Sequence, residues 1–331
     1  MKEVNRPCVL CGKSDSRIKH IFNFPLLQGP FELRECNGCG LLFNSQRMTD
    51  LASLYTETYY VFQKDERTRY AQALSQVKRH LDPNLGLPRK PLDILEVGSA
   101  TGHLLHVLRH LNHRVQGVEL SSSAAESARK RFGVNVFNGS IEEYISKAGH
   151  GKMQHDVVWC NDVLEHVPDP VSFVKSCAMA LKPAGRLILD TPNAGAKAVR
   201  EGKPNWVGYN PYHIYLFGPE NMELLLDKAV FRVQAKFSFH NGQSMGLVPR
   251  QPLRSFLRNT LKTTGLLEFL RPVRQWRSKN RDGELARQPM KAGEIVRRLE
   301  EIPWFSDSDD ARAKLAEDCR GNNLVIHAVL A

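Results

Sequence analysis

The stretch DILEVGSATGHLLHVL, Asp93 to Leu108, is an apolar run that breaks at Gly98 and Gly102 and then resumes with helical spacing. This pattern predicts a strand, a glycine turn and a helix, in which Gly98 lets a ligand approach the backbone. Gly102 lies at the start of the predicted helix, whose N-terminal amides favour polar or anionic groups. The turn is therefore the first candidate for a binding site.

Strand-like and helix-like segments alternate after this turn. The strand-like segments are VQGVEL, VNVF, DVVWCN and RLILDTPN, and helical patterns begin at Thr101, Ser122, Ile141 and Pro170. Such alternation predicts an α/β fold with a parallel sheet between helices. Two later strands are predicted, FRVQAKFSFH at 231–240 and NNLVIHAVL at 322–330, the first preceded by the helical segment GPENMELLLDKAV.

The composition is that of a globular protein: the 331-residue chain is 42% hydrophobic and 24% charged, with a mean hydropathy of −0.37. No stretch approaches the roughly 18 consecutive apolar residues of a membrane span, and the N-terminal MKEVNRPC lacks the apolar run of a signal peptide. We therefore expect a cytoplasmic location. The net charge of +11 and the isoelectric point of about 9.4 favour an anionic partner, such as a nucleic acid, a phosphorylated substrate or an acidic membrane surface.

Two C-x-x-C pairs near the N-terminus predict a zinc ribbon. Cys8 and Cys11 form the first pair, Cys36 and Cys39 form the second, and 24 residues separate the pairs. A glycine follows each pair and lets the backbone turn around the sulfur atoms, so that four thiolates can close a tetrahedral site. Such a site has no open position and is structural. We expect the other cysteines to be small buried hydrophobic residues: Cys160, Cys177 and Cys319.

Two classes of cofactor compete for the glycine turn. A dinucleotide site requires G-x-G-x-x-G, whereas Gly98 is followed by Ser99, Ala100 and Thr101, so NAD is the weaker prediction. Glu119 ends the strand VQGVEL, where a carboxylate can accept both ribose hydroxyls of either cofactor. Glu119 therefore does not discriminate between the two.

The segments LEVGSATG, VEL, DVVWCNDVLEHVPDP and LKPAGRLILDTPN resemble the successive motifs of class I S-adenosylmethionine-dependent methyltransferases, in the same order and spacing. The resemblance covers Leu92 to His240, and 322–330 fits the last strand of that family. It implies a Rossmann-like sheet of seven strands with the last strand antiparallel, and S-adenosylmethionine as cofactor. The ribbon is similar to the zinc-binding N-terminal region of some methyltransferases of sugar and cell-surface polysaccharide pathways.

The resemblance implies a set of cofactor contacts. In the family pattern they surround the methionine part (Glu96, Gly98, Asn161, Asp162), the ribose (Glu119) and the adenine (Ser140, Ile141), and the remaining candidates are Ser99, Ala100, Gly102 and Leu120. Two departures stand out: Ser99-Ala100 replaces the more usual second glycine, and Ser140 stands where an aspartate is common. As alternatives, Glu96 and Asp162 are capping or surface groups, and Ser140 is only the cap of the helix IEEYI.

Methyl transfer to a hydroxyl is helped by a base, for which the sequence offers His213 and His166. His213 is the preferred candidate because WVGYNPYHIYLF follows the fifth strand, where we expect the acceptor pocket. The alternative for each histidine is a hydrogen-bonded structural role. The aromatic residues of this segment are either an acceptor wall that stacks on a sugar or ordinary packing: Trp206, Tyr209, Tyr212 and Tyr215.

The stretch 250–281 carries nine Lys or Arg residues against one Glu, a local charge of +8. Apolar residues at helical spacing alternate there with a stripe of arginine and lysine, which predicts a basic amphipathic helix. Such a helix can contact an anionic membrane, cover the acceptor site as a lid, or be a solvated face. A lipid-linked or phosphate-bearing saccharide acceptor fits this charge, and RNA is the rival anion.

The sequence thus predicts an S-adenosylmethionine-dependent methyltransferase that acts on a sugar, polysaccharide-precursor or glycolipid hydroxyl. The predicted domains are a zinc ribbon at 1–48, a helical linker at 49–91, a core at 92–240 and 322–331, and a basic helical insertion at 241–321. The expected location is cytoplasmic, with peripheral contact to the inner membrane surface through 250–281 as one option. The alternatives are an RNA methyltransferase and a non-catalytic binding module with this fold.

Overall fold

The computed structural model describes residues 7–22, 31–45, 66–82, 85–87, 90–148, 155–204, 206, 208–210, 212–239, 289–302 and 319–331. The strands are β1 (Ser16–Phe22), β2 (Phe31–Cys36), β3 (Leu42–Asn44), β4 (Asp93–Val97), β5 (Arg114–Glu119), β6 (Asn135–Asn138), β7 (His155–Asn161), β8 (Leu181–Pro192), β9 (Tyr215–Leu216), β10 (Phe231–Phe239) and β11 (Asn323–Leu330). The helices are α1 (Glu66–His80), α2 (His103–His110), α3 (Ser122–Phe132), α4 (Ile141–Ala148), α5 (Pro170–Ala180), α6 (Lys197–Arg200), α7 (Pro219–Asp227) and α8 (Ala292–Glu300), with a 3-10 turn at Leu164–His166.

Seven strands form the central sheet, in the order β10-β11-β8-β7-β4-β5-β6. The strands from β8 to β6 are parallel to their neighbours, whereas β11 is antiparallel to both β8 and β10. The structure therefore confirms the predicted α/β fold with an antiparallel last strand. Because the central strands are parallel, their carboxyl ends lie at one edge of the sheet, which we call the carboxyl edge.

The central strands are buried on both faces, as parallel strands require. Leu95 and Val97 of β4 pack into the layer that contains α5 and α7, and Ile94 packs into the layer that contains α1, α2 and α8. Strand β7 alternates in the same way and places Trp159, which is fully buried, in the second layer. The near-continuous apolar runs of these strands follow from this double burial.

The ribbon forms a second, antiparallel sheet in the order β1-β2-β3-β9. Its fourth strand, β9, comes from the segment after the fifth core strand, so core residues complete the sheet of the ribbon. The ribbon also packs on the core through Leu10, Leu41 and Phe43, which lie in one apolar layer with Tyr215 and Phe217. The three remaining cysteines are buried, as predicted.

Two helices outside the predicted core boundaries pack on the same face of the central sheet. Helix α1 contributes Tyr70, Leu74 and Val77 to this layer, and α8 contributes Ile295 and Leu299. The predicted domain boundaries themselves stay predictions, and the basic stretch 250–281 lies outside the described residues. Within the described ranges, no helix has the length and apolar character needed to span a membrane.

The end of α1 places charged groups beneath the carboxyl edge. The Arg79 guanidinium donates to Asp190 Oδ2 at 3.0 Å, and Asn323 Nδ2 donates to Asp190 Oδ1 at 3.0 Å. The side chain of Asp190 is only 5% exposed, and the Arg79 guanidinium carbon lies 3.6 Å from the centre of the Phe239 ring. Because water cannot hydrate a charge at this buried position, each member of the ion pair is stabilised by the opposite charge of the other.

Replacement Asp190→Asn should lower the free energy of unfolding by about 3 kcal/mol, because it leaves the Arg79 cation buried without its counter-ion. Denaturant titration of the purified protein measures this change. The control Glu35→Gln removes the partner of Arg17, whose side chain is 66% exposed, and should cost less than about 1 kcal/mol. Equal stabilities of Asp190→Asn and wild type would contradict the assignment.

Candidate functional site

The residues that the resemblance assigned to the cofactor meet at the carboxyl edge. Strands β4, β5 and β7 end at Val97, Glu119 and Asn161, and β8 runs two residues past Asp190, the partner of Asn161 in the strand register. The connections that follow β4, β5 and β7 carry the predicted contacts. A crevice above the carboxyl ends of the strands is where open parallel sheets bind ligands.

The turn after β4 is held by its neighbours on both sides. The amide of Gly98 donates to Val118 O at 2.8 Å, which joins the turn to β5. Gly98 has φ +77°, and a Cβ atom there would lie 2.4 Å from Val163 Cγ2. A Cβ atom on Gly102, which has φ +80°, would lie 2.7 Å from Ala128 Cβ in α3. Both positions therefore favour glycine, because each has a positive φ and a side chain there would collide with Val163 or Ala128.

Ala100 occupies the place where the family more usually has a second glycine. Its φ of +46° is in the left-handed region, which costs a non-glycine residue about 1 kcal/mol. The amide of Ala100 donates to Glu119 Oε2 at 2.8 Å, and this bond helps to keep Ala100 in that conformation. The departure seen in the sequence is therefore accommodated by the turn.

Glu119 joins the connections after two neighbouring strands. Its Oε2 atom accepts from Ala100 N and its Oε1 atom accepts from Ser121 N, both at 2.8 Å. The side chain is buried, whereas the following Leu120 is 43% exposed. A carboxylate oxygen can accept two hydrogen bonds, so this arrangement suits a ribose diol, and Leu120 offers an apolar surface beside it.

Two predicted contacts, Glu96 and Ser99, lie beneath the turn. Glu96 is 7% exposed and Ser99 is 3% exposed. Burial raises the pKa of Glu96 well above its ordinary value, and the negative charge of Glu119 raises it further. Burial therefore opposes the charged form of Glu96, and this buried side chain at the end of β4 supports the turn.

The connection after β6 shows a helix cap. Ser140 Oγ accepts from Glu143 N at 3.2 Å, and Glu143 Oε2 accepts from Ser140 N at 2.8 Å. This reciprocal pair is a capping box at the start of α4. Ile141 is 2% exposed and packs into the core. The capping alternative for Ser140 is thus observed, and its contact with adenine stays a prediction.

Asn161 and Asp162 lie at the end of β7. Asn161 Oδ1 accepts from Trp159 Nε1 at 3.0 Å, which fixes the orientation of its amide. Asp162 has φ +50°, and its amide donates to Asp190 O at 2.8 Å. The Asp162 side chain is exposed at the carboxyl edge. Both residues therefore lie at the carboxyl edge, and their contact with the methionine part stays a prediction.

The sequence analysis missed Arg69. Its Nη1 atom donates to Thr101 Oγ1 at 2.6 Å, so a cation from α1 lies against the glycine turn. A cation at this position can pair with the carboxylate of an amino-acid ligand. Arg69 lies in a polar helix far from the motifs in sequence, and no local pattern distinguishes it from its charged neighbours.

The two candidate bases form one buried group with Glu165. Each residue offers an atom that can bind a metal ion, and these atoms lie within 4.8 Å of one another. His166 Nδ1 lies 2.9 Å from Tyr212 O, and His213 Nδ1 lies 2.8 Å from Gly208 O. A carbonyl oxygen only accepts, so each Nδ1 carries the proton and each Nε2 is the basic nitrogen. The structure therefore brings the predicted pair together in a defined tautomer.

Burial sets the protonation of this group. Desolvation, and then the neighbouring His166, lower the pKa of His213 to about 3, and burial also lowers the pKa of His166. Burial raises the pKa of Glu165 well above its ordinary value, while Thr191 Oγ1 donates to its Oε2 atom at 2.9 Å. In all three side chains burial therefore opposes the charged form, and for His213 the pKa falls well below the 6.5 of an unperturbed imidazole.

The proposed aromatic wall is largely packing. Trp206, Tyr209 and Tyr215 are 4%, 8% and 2% exposed. Trp206 and Tyr209 pack with Leu33 and Leu42 of the ribbon. Tyr212 is partly exposed. The sequence left open an acceptor wall or ordinary packing. The low exposure of Trp206, Tyr209 and Tyr215 supports packing for these three rings.

The four ribbon cysteines converge on one point. Their Sγ atoms lie within 4.8 Å of one another, with Cys8 and Cys39 3.6 Å apart and Cys11 and Cys36 3.5 Å apart. A tetrahedral zinc ion with bonds of about 2.3 Å holds its sulfur ligands roughly 3.8 Å apart, so the donor set fits this ion. Each pair is followed by a glycine at positive φ, as the sequence pattern requires: Gly12 and Gly40.

Comparisons with known proteins assign the family. A family model described as a methyltransferase domain matches residues 63–236, more than half of the chain. The ubiquinone biosynthesis O-methyltransferase of Nitrosospira multiformis is 34% identical over 111 residues, which are 32% of this chain and 45% of that protein. The enzyme of the same name from Serratia proteamaculans is 36% identical over 109 residues, 32% of this chain and 44% of that protein. The chain thus spans about half the length of the curated relatives it matches.

Solved structures match a larger share of the chain at lower identity. The crystal structure of a SAM dependent methyltransferase from Archaeoglobus fulgidus covers 82% of this chain and 99% of that chain, with 14% identity and a TM-score of 0.45.

The buried His213 should make stability depend on pH. Its pKa is about 3 in the folded protein and about 6.5 when unfolded, so below pH 6.5 only the unfolded state takes up this proton. The free energy of unfolding should therefore fall between pH 6.5 and 3 by about 1.4 kcal/mol per pH unit for this group.

Denaturant titrations of wild type and His213→Gln at several pH values isolate this contribution. The other histidines titrate in both proteins, so only the difference between the two pH slopes reports His213. Parallel slopes between pH 6.5 and 4 would show that His213 is not held neutral by burial.

Proposed function

The chain belongs to the methyltransferase domain family, and we propose that it transfers a methyl group from S-adenosylmethionine to a hydroxyl group of its acceptor. The observation that carries this proposal is the joint position of Gly98 and Glu119. A glycine turn after β4 and, after β5, a carboxylate oriented by the amides of Ala100 and Ser121 lie side by side at the carboxyl edge. This combination suits a nucleoside with a free ribose diol.

The residues that would hold S-adenosylmethionine divide by its parts. Glu119 would accept hydrogen bonds from the ribose hydroxyls, and the exposed Leu120 would offer an apolar surface to the adenine. Asn161 and Asp162 would border the methionine part, and Arg69 would supply a positive charge for its carboxylate. Glu96, whose pKa is raised by burial, would support the turn from the end of β4.

The reaction needs alignment more than acid–base chemistry. When bound, S-adenosylmethionine would supply an electrophilic methyl group on its sulfonium sulfur. The protein contributes by holding the acceptor in line with that methyl group and by excluding water. The apolar packing around Ile214, Tyr215 and Phe217, which are at most 2% exposed, keeps water out of this side of the site.

His213 is the proposed proton acceptor. Its Nδ1–H donates to Gly208 O, so Nε2 carries the lone pair. Burial lowers the pKa of His213 to about 3, which leaves Nε2 unprotonated at neutral pH and makes it a weaker base than an ordinary imidazole. The acceptor hydroxyl loses its proton to this atom as the new bond to carbon forms. His166 is the second candidate, since its Nε2 atom belongs to the same buried group.

For the acceptor we propose a saccharide hydroxyl, in a polysaccharide precursor or a glycolipid. The ribbon pattern and the charge of +8 in 250–281 support this choice, because they suit a phosphate-bearing or lipid-linked substrate. The relatives are named for O-methylation in ubiquinone biosynthesis, which also fits a hydroxyl acceptor. In either case His213 has the same role.

We propose that the four ribbon cysteines hold a structural zinc ion. Four thiolates around one point leave no open position for a substrate, so such an ion stabilises the fold and does not take part in the reaction. Glycines at positive φ after each pair support the assignment.

Cofactor binding is tested by calorimetric titration of wild type and Glu119→Ala with S-adenosylmethionine and S-adenosylhomocysteine. Loss of two hydrogen bonds to a carboxylate should weaken binding about 100-fold. Glu126→Ala is the matched control, because Glu126 lies on α3 with its side chain 57% exposed, paired with Lys130. Absence of binding to wild type would favour a non-catalytic binding module.

Methyl transfer is tested with a radioactive methyl donor and a panel of acceptors: nucleotide sugars, lipid-linked saccharides, dihydroxybenzenes and RNA. With the acceptor that is methylated, His213→Ala should lower kcat at least about tenfold and leave cofactor affinity unchanged. Unchanged turnover would remove His213 from the mechanism. Methylation of RNA alone, with salt-dependent binding, would favour the RNA alternative.

A further inference from the structure

Hydrogen bonds join the ribbon to the segment that carries His213. Asn44 N of β3 donates to Ile214 O at 2.9 Å, and β3 pairs with β9 through Leu42 with Leu216 and Phe43 with Tyr215. Ile214 is the residue directly after His213. The ribbon therefore provides the neighbouring strand for this part of the candidate acceptor side.

The opposite side of the same segment contacts Glu165 and His166. Ile214 N donates to Glu165 O at 2.7 Å, and the His166 ring donates to Tyr212 O. Tyr215 Oη donates to Pro168 O at 3.3 Å. The backbone around His213 thus lies between the turn after β7 and the ribbon, and bonds from both sides determine its position.

A single side chain connects the cysteine cluster to the helix that follows. Asn221 Nδ2 donates to Cys39 O at 2.6 Å, and its Oδ1 atom accepts from Gly218 N at 3.1 Å. Asn221 is 5% exposed, so water does not replace either bond. The carbonyl of a cysteine in the cluster is therefore fixed to the first turn of α7, a helix that begins two residues after Phe217.

The cofactor side is held differently. The glycine turn and Glu119 are bonded to Val118, Ala100 and Ser121, all in the β4 and β5 connections. These bonds are local to the core. A disturbance of the ribbon can therefore alter the His213 segment while Glu119 and Gly98 keep their geometry.

We propose that the ribbon is a positioning element of the acceptor side: β3 and Asn221 hold the backbone of 212–217 so that His213 faces Glu165 and His166. The proposal rests on the assignment of His213 as proton acceptor. Asn221 is a positioning residue that acts through the Cys39 carbonyl. Loss of the metal ion releases the His213 segment and leaves the cofactor side intact.

The substitution that tests the link is Asn221→Asp, which keeps the oxygen acceptor for Gly218 N and removes the donor to Cys39 O. Asn135→Asp is the matched control, because Asn135 donates an exposed amide bond to Gln116 at the far edge of the sheet. Hydrogen–deuterium exchange of the full chain is measured for peptides covering 208–217 and 93–119, together with S-adenosylhomocysteine affinity and zinc content.

We expect Asn221→Asp to raise the exchange rate in 208–217 at least tenfold, with 93–119 and the affinity for S-adenosylhomocysteine unchanged. Removal of zinc by a chelator should have the same effect on wild type, confirmed by elemental analysis. Asn135→Asp should behave as wild type. Unchanged protection of 208–217 in both treatments overturns the proposal, as does equal loss of protection in 93–119, which would make the ribbon a general stabilising element.

The readouts also separate this proposal from the proposed function. Exchange in 208–217 needs neither cofactor nor acceptor, so it is decided even if wild type fails to bind S-adenosylhomocysteine, and that failure would count against the methyltransferase assignment alone. If wild type binds and methylates an acceptor, Asn221→Asp should lower kcat while the KM for the cofactor stays constant. A parallel change in both parameters would contradict a positioning role on the acceptor side.

Discussion

The parallel alignment of the strands from β8 to β6 is the constraint on which the site depends. Parallel strands need crossover connections, so their carboxyl ends lie at one edge and the connections after them are neighbours in space. Residues far apart in sequence, such as Gly98, Glu119 and Asp162, therefore border one crevice. Glu119 links two of these connections directly. Its carboxylate accepts hydrogen bonds from Ala100 N, after β4, and from Ser121 N, after β5.

The sequence predicted those parts of the molecule that local patterns encode. The alternation of strands and helices, the glycine turn and the cysteine cluster follow from hydrophobic runs, glycine positions and C-x-x-C spacing, whereas the antiparallel last strand was implied by the resemblance to class I methyltransferases. The place of Arg69 and the pairing of Arg79 with Asp190 could not be predicted, because α1 is a polar helix whose contacts are decided by tertiary packing. For the same reason the pairing of β3 with β9 was missed: a two-residue strand has no periodicity.

Where sequence patterns left two readings open, burial decided between them. The aromatic residues Trp206, Tyr209 and Tyr215 suit both a sugar-binding wall and a core, and only their exposure separates the two. The pKa of His213 could likewise not be predicted from the sequence. The sequence suggested an imidazole that titrates near neutral pH, but burial beside His166 lowers its pKa to about 3. Desolvation is a property of the folded environment and is not encoded in local sequence.

The buried carboxyl groups at this edge differ in the hydrogen-bond donors around them, and this difference gives them different roles. Asp190 receives a guanidinium and an amide, and Glu119 receives two backbone amides, so their oxygen atoms act as acceptors. Glu165 accepts from Thr191 at its Oε2 atom, and burial raises its pKa well above the ordinary value. On the acceptor side, burial thus raises the pKa of a carboxyl group and lowers the pKa of two imidazoles, so it opposes the charged form of each group. The function of this side therefore depends on the distances between hydrogen-bonding groups, which the segment between the ribbon and the turn after β7 sets.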